Sequence, residues 1–102
     1  MTYAIEIAPE AQREWKKLDP SIKRQFVKKL EKLCHNPKVA SAKLRGHSNA
    51  YRIKARDAGY RLIYVVQDAR LIILIVAVAK RDSSKDDVYS LIGSRLARIA
   101  ND

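Results

Sequence analysis

From Tyr51 to Arg56 apolar and polar residues alternate. Tyr51, Ile53 and Ala55 point one way, and Arg52, Lys54 and Arg56 point the other. Period two is the mark of a half-buried strand. Asp57-Ala58-Gly59 then supplies turn chemistry, with a glycine free to take positive φ. A second strand from Tyr60 to Val66 is richer in apolar and aromatic residues. After Gln67-Asp68-Ala69-Arg70 the run Leu71–Ala79 is almost unbroken apolar sequence, as expected of a central strand covered on both faces.

The flanking sequence has other periods. Thr2–Ile7 reads as a first strand, with Tyr3, Ile5 and Ile7 on one face. Pro9 suits a first helical turn, where its missing N–H costs nothing. Ala11, Trp15 and Leu18 then fall on one helical face. Asp19-Pro20 closes this helix and starts another, with Asp19 as its cap. Ile22, Phe26, Leu30, Leu33 and Cys34 line one side of that second helix until His35-Asn36-Pro37 stops it. In the connector Ala42–Gly46, Leu44 can plug the core while Lys43 and Arg45 extend a basic rim. A last helix is expected over 88–99, with Val88, Leu91, Ile92, Leu96 and Ile99 as its apolar side. The order β-α-α-β-β-β-α describes one domain over residues 1–102. The class is α+β: a helical hairpin packs on a mostly antiparallel four-stranded sheet, followed by a C-terminal helix.

Charge changes the picture. Lys and Arg number 21 against 11 Asp and Glu, a net +10 spread along the whole chain of 102 residues. Such an excess favours a polyanionic partner. A membrane is the weakest candidate, because Leu71–Ala79 falls far short of the roughly 20 residues that span a bilayer. No signal-peptide pattern opens the chain, and the single Cys34 reads as a buried thiol, so a cytoplasmic location is expected. A three-residue hairpin loop puts Arg61 on the other face, whereas a two- or four-residue loop pairs Lys54 with Arg61 and Arg52 with Ile63. Arg52, Lys54 and Arg61 then converge on one face. Like charges set opposite each other are destabilising unless an anion lies between them. A solvated open face is the other reading. Strict alternation along the last strand puts Lys80, not Arg81, on the face of Arg61, unless the strand ends before Arg81 or a bulge re-aims it.

Several chemistries find little support. Cys34, His35 and His47 fit no metal-ligand spacing, and no cofactor is expected. Gly46, Gly59 and Gly93 are too far apart for a phosphate loop. Acid–base chemistry must therefore use Lys, Arg or Tyr. A lysine among arginines is a suitable base, because neighbouring positive charge disfavours its protonated form. The lysine-rich side of the second helix is either a plain solvated surface or a phosphate-contacting one.

Five segments occur in order: Glu14-Trp15-Lys16-Lys17-Leu18, Lys43-Leu44-Arg45-Gly46, Tyr51-Arg52-Ile53-Lys54, Gly59-Tyr60-Arg61-Leu62-Ile63-Tyr64, and Ala79-Lys80-Arg81 with Val88-Tyr89. Together they resemble the RelE toxins of bacterial toxin–antitoxin systems, over nearly the whole chain. The resemblance implies a microbial-ribonuclease-like fold. It implies an endoribonuclease that cuts mRNA in the ribosomal A site and arrests translation. It also implies a RelB-like antitoxin as partner, with operator DNA contacted only through the toxin–antitoxin complex. By the same resemblance Lys54 is the general base, Arg61 stabilises charge on the scissile phosphate, and Arg81 serves that phosphate or protonates the leaving 5′-oxygen. Arg52 stands where the family usually has lysine and takes a phosphate-binding role. Tyr89 matches the C-terminal tyrosine that stacks on or orients the base. Lys43, Arg45 and Lys80 complete the expected RNA-binding set. The alternatives are a ParE-like toxin that inhibits gyrase and a non-enzymatic RNA-binding module.

Overall fold

Local sequence sets where each element begins. In the computed structural model the described residues are 2–47, 49–55, 59–80 and 92–97. Strand β1 is Ala4–Ile7, and α1 (Pro9–Lys16) follows at once with Pro9 in its first turn. Helix α2 (Pro20–Leu33) again opens on proline. Asp19 occupies the expected cap position, yet its side chain makes no capping hydrogen bond. A 3₁₀ turn over Ala40–Ala42 leads to β2 (Ala50–Ala55), β3 (Tyr60–Gln67) and β4 (Ile72–Lys80). Residues 92–97 form helix α3, inside the span expected to be helical.

The sheet runs β1-β4-β3-β2. Strand β4 is central, as its apolar run requires. It pairs parallel with β1 and antiparallel with β3, and β2 closes the other edge. Gly59 has φ +70°, the left-handed conformation expected at the β2–β3 hairpin. Hairpin register is as the sequence predicts: Lys54 faces Arg61, and Arg52 faces Ile63.

Two apolar clusters form on opposite faces of the sheet. The larger joins Ala11, Leu18, Ile22, Phe26 and Leu30 of the helical hairpin to Ile53, Leu62, Tyr64 and Ile75. The smaller joins Leu44, Ala50, Ile63, Val76 and Ala77 to Ile92, with Leu96 packed alongside. Leu44 is the core plug that the connector suggested. Cys34 is only half-buried. Its thiol donates to the Leu30 carbonyl at 3.3 Å, and burial raises its pKa, which keeps it protonated and inert.

Strand β4 carries a bulge. Ile63 faces Ala77, but the next residue, Tyr64, faces Ile75, so Val76 is the extra residue. Strand β1 pairs with β4 only as far as Ile75, which leaves β4's outer edge open beyond it. One ion pair fills that gap. Arg95 of α3 donates to the Val76 carbonyl at 2.9 Å, and Glu14 of α1 accepts the Val78 N–H at 3.0 Å. The two side chains meet in a two-pronged pair, both bonds 2.9 Å long. Backbone groups that lose a strand partner thus regain one.

Candidate active site

The bulge decides which residues face Arg61. With the extra residue, Ala79 lies opposite Arg61, and Lys80 lies opposite Tyr60. Residues paired across a sheet share a face. Strict alternation put Lys80 on the Arg61 face, and the structure corrects this: Lys80 belongs to the face of Tyr60. Arg81 and Tyr89 lie outside the described residues.

Three cations share the face that α3 partly covers. Arg61 and Lys54 are directly paired, and Arg52 lies two residues from Lys54 on the same side. Burial differs sharply among them. Arg61 is only 9% exposed, Arg52 is half-buried, and Lys54 is exposed. The Arg61 guanidinium donates to the Tyr60 carbonyl at 3.1 Å, and its Nε is buried without a hydrogen-bond partner. The salt bridges between described residues are Lys38–Asp68, Arg70–Glu6 and Arg95–Glu14, and none of them involves Arg61. Leaving one donor of a buried charged group without an acceptor costs more than the roughly 1–3 kcal/mol of a neutral group. Proteins keep such an arrangement where an anion completes it. Small Ala77 and Ala79 flank the site without filling it.

Helix α2 reaches the same strand from the other side. Lys29 donates from its ammonium to the Lys54 backbone carbonyl on the edge of the sheet. Sequence reading placed Lys29 only on a basic helix surface; nothing in the spacing showed that it meets β2. Lys43 bridges to Tyr51 and so continues the sheet edge beside Arg52, which supports the basic rim. Arg45 is exposed in the next turn, against a surface hollow shared with Gly46 and His47. Tyr64 lies under the hairpin face, where it donates to the Pro37 carbonyl at 2.8 Å. Burial, with nearby Tyr51, pushes its pKa well above the usual tyrosine range, so it is no acid–base group. Among the described residues no cluster of His, Cys, Asp and Glu could hold a metal ion.

Among the described residues this face is cationic, and it lies on a small four-stranded sheet. Residues 5–84 match the family model described as the ParE toxin of type II toxin–antitoxin systems. The chain belongs to this family of type II toxins, and its relatives place it in the RelE branch. It is 50% identical to a RelE-like toxin protein of Escherichia coli, across 94% of this chain and 99% of that one. It is 38% identical to the mRNA interferase toxin RelE of Escherichia coli K12, across 88% and 93% of the two chains. The intact E. coli RelBE toxin–antitoxin complex contains a chain of the same fold. That chain superposes with a TM-score of 0.75 at 35% identity, over 78% of this chain and 98% of its own.

Proposed function

We propose that this chain is the toxin of a type II toxin–antitoxin pair and acts as an mRNA interferase, an endoribonuclease that cuts messenger RNA. The observation that carries this reading is Arg61: a buried guanidinium with an unpartnered Nε, directly across the sheet from Lys54. A phosphodiester supplies the missing charge, and Lys54 is the neighbouring base.

The reaction follows from these groups. Lys54, in its neutral form, takes the proton of the ribose 2′-OH. The 2′-oxygen attacks phosphorus, and the bond from phosphorus to the 5′-oxygen breaks. Arg61 and Arg52 neutralise charge as it builds on the phosphoryl oxygens. Arg81 either serves the same phosphate or returns a proton to the leaving 5′-oxygen. Tyr89 orients the base. The products are a 2′,3′-cyclic phosphate, which can open to a 3′-phosphate, and a 5′-hydroxyl. The ribosomal A site is where the message is presented. Lys43 and Arg45 extend the basic surface and contact RNA backbone, whereas Lys80, on the face of Tyr60, lies on the opposite side of the sheet. A RelB-like antitoxin neutralises the toxin, and operator DNA is bound only through their complex.

Purified toxin added to ribosomes on a defined message tests this. Lys54→Ala and Arg61→Ala should each lower cleavage by two or more orders of magnitude while the circular dichroism spectrum is kept. Full cleavage by both folded variants would refute the assignment. The description of the matching family as ParE toxin favours one second reading, inhibition of DNA gyrase. A supercoiling assay separates the two, because an mRNA interferase leaves gyrase untouched.

A further inference from the structure

A groove crosses the outer edge of β2 onto the hairpin side of the sheet. It measures ≈ 390 Å³, within the roughly 300–1,000 Å³ of ligand clefts. Buried or half-buried Leu33, Val39 and Ile53 make its floor. Its mouth carries four cations: Lys29 and Lys32 from α2, Arg52 and Lys54 from β2. Among the described residues no carboxylate lines it. An apolar slot with a cationic mouth matches one ligand chemistry closely: an unpaired nucleotide, with its flat base inside and its phosphates at the rim.

The groove is continuous with the candidate active site. Arg52 and Lys54 line the groove and also share the sheet face of Arg61. Strand β2 is therefore a common wall, and among the described residues no further strand lies beyond the Lys43 bridge to block passage over its edge. One strand is about 5 Å wide, within the reach of a single nucleotide step.

We propose that the groove is a second nucleotide subsite, which holds the message nucleotide next to the scissile one. This rests on the mRNA interferase reading above. The RNA bends over the β2 edge, so that one phosphate meets Arg61 and its neighbour meets Lys29 and Lys32. Binding there draws the strand taut across Lys54 and contributes to substrate affinity more than to the chemical step.

The test is photocrosslinking in ribosome complexes with a message carrying 4-thiouridine on either side of the scissile position. A 2′-deoxy sugar at that position blocks cleavage. Crosslinks into the peptide containing Val39 to Ala42 are expected. On unmodified message Lys32→Glu and Ser41→Trp, which reverse a rim charge and fill the slot, should raise KM about five-fold or more with kcat within about two-fold. Lys32→Arg should retain wild-type KM. Crosslinks confined to other surfaces, or unchanged KM in both variants, would overturn the proposal. The same holds if an acidic antitoxin peptide crosslinks to the groove and the message does not. Wild-type cleavage of unmodified message separates the two claims. Cleavage without groove crosslinks removes the subsite alone; no cleavage at all removes the interferase reading and the subsite with it.

Discussion

At the scale of single residues Arg61 shows function and stability in opposition. Its buried Nε lacks a hydrogen-bond partner, which burdens the folded state. Arg61→Met keeps the volume and removes the charge. It should abolish cleavage yet leave unfolding stability unchanged or raised by on the order of 1 kcal/mol. Rate assays beside equilibrium unfolding check both halves. A second residue group predicts a pH effect. Asp68 accepts from Lys38 and from the Tyr3 hydroxyl, and these bonds, Lys38 first, hold its carboxyl below the usual range. Its contribution is present above about pH 4, the ordinary aspartate range, and fades as pH falls through the lower folded value. The same contacts raise Tyr3 and Lys38, chiefly through their hydrogen bonds to Asp68, so their share is lost as pH rises past about 10. The stability gap between wild type and Asp68→Asn, followed across pH, should close at both ends. The Lys54–Arg61 pairing was legible in sequence because loop parity alone determines it. The Tyr3–Asp68–Lys38 contact was not, because it joins three distant segments and leaves no periodic trace.

At the scale of elements the bulge in β4 matters most. It reverses which β4 residues face Arg61, placing Ala79 there and turning Lys80 away. Sequence could not show it. In a strand apolar on both faces, a one-residue slip leaves the hydropathy pattern unchanged. The Glu14–Arg95 pair that satisfies the bulge was equally hidden, although Glu14 stood within a segment that carried the family resemblance. Both side chains are mostly shielded, 21% and 15% exposed, and each also serves a backbone group. Arg95→Ala should therefore cost about 2 kcal/mol of stability, and a double-mutant cycle with Glu14→Ala should give a coupling near 1–2 kcal/mol. Chemical denaturation of the four proteins measures it; additive losses would mean the two residues act separately. The helical hairpin, by contrast, was readable almost to its ends. Pro9 and Pro20 mark the two helix starts, and Ala11, Leu18, Ile22, Phe26 and Leu30 are the residues it buries.

At the scale of the molecule, two cores on opposite sheet faces support one cationic surface. The hairpin core bears most of the load: Phe26 is fully buried, and Phe26→Ala should cost about 3–5 kcal/mol and lower the thermal midpoint steeply. The net charge of +10 acts at longer range. Association with RNA releases counterions, so kcat/KM on programmed ribosomes should fall linearly with salt on logarithmic axes. The α+β class, the strand pairing and the basic character were visible in the sequence, because hydropathy period and charge are local properties. The α2-to-β2 groove was not, since it arises only when Lys29 and Lys54 are brought together from opposite ends of the helical hairpin and the sheet edge.

The most direct test of the central claim is to map new RNA 5′ ends in a translation extract supplied with purified, antitoxin-free toxin, with and without engaged ribosomes. New 5′-hydroxyl ends inside A-site codons are expected only when ribosomes occupy the message, and they should vanish with Lys54→Ala and with Arg61→Ala. An intact message on translating ribosomes, in the presence of folded wild-type protein, would contradict the account.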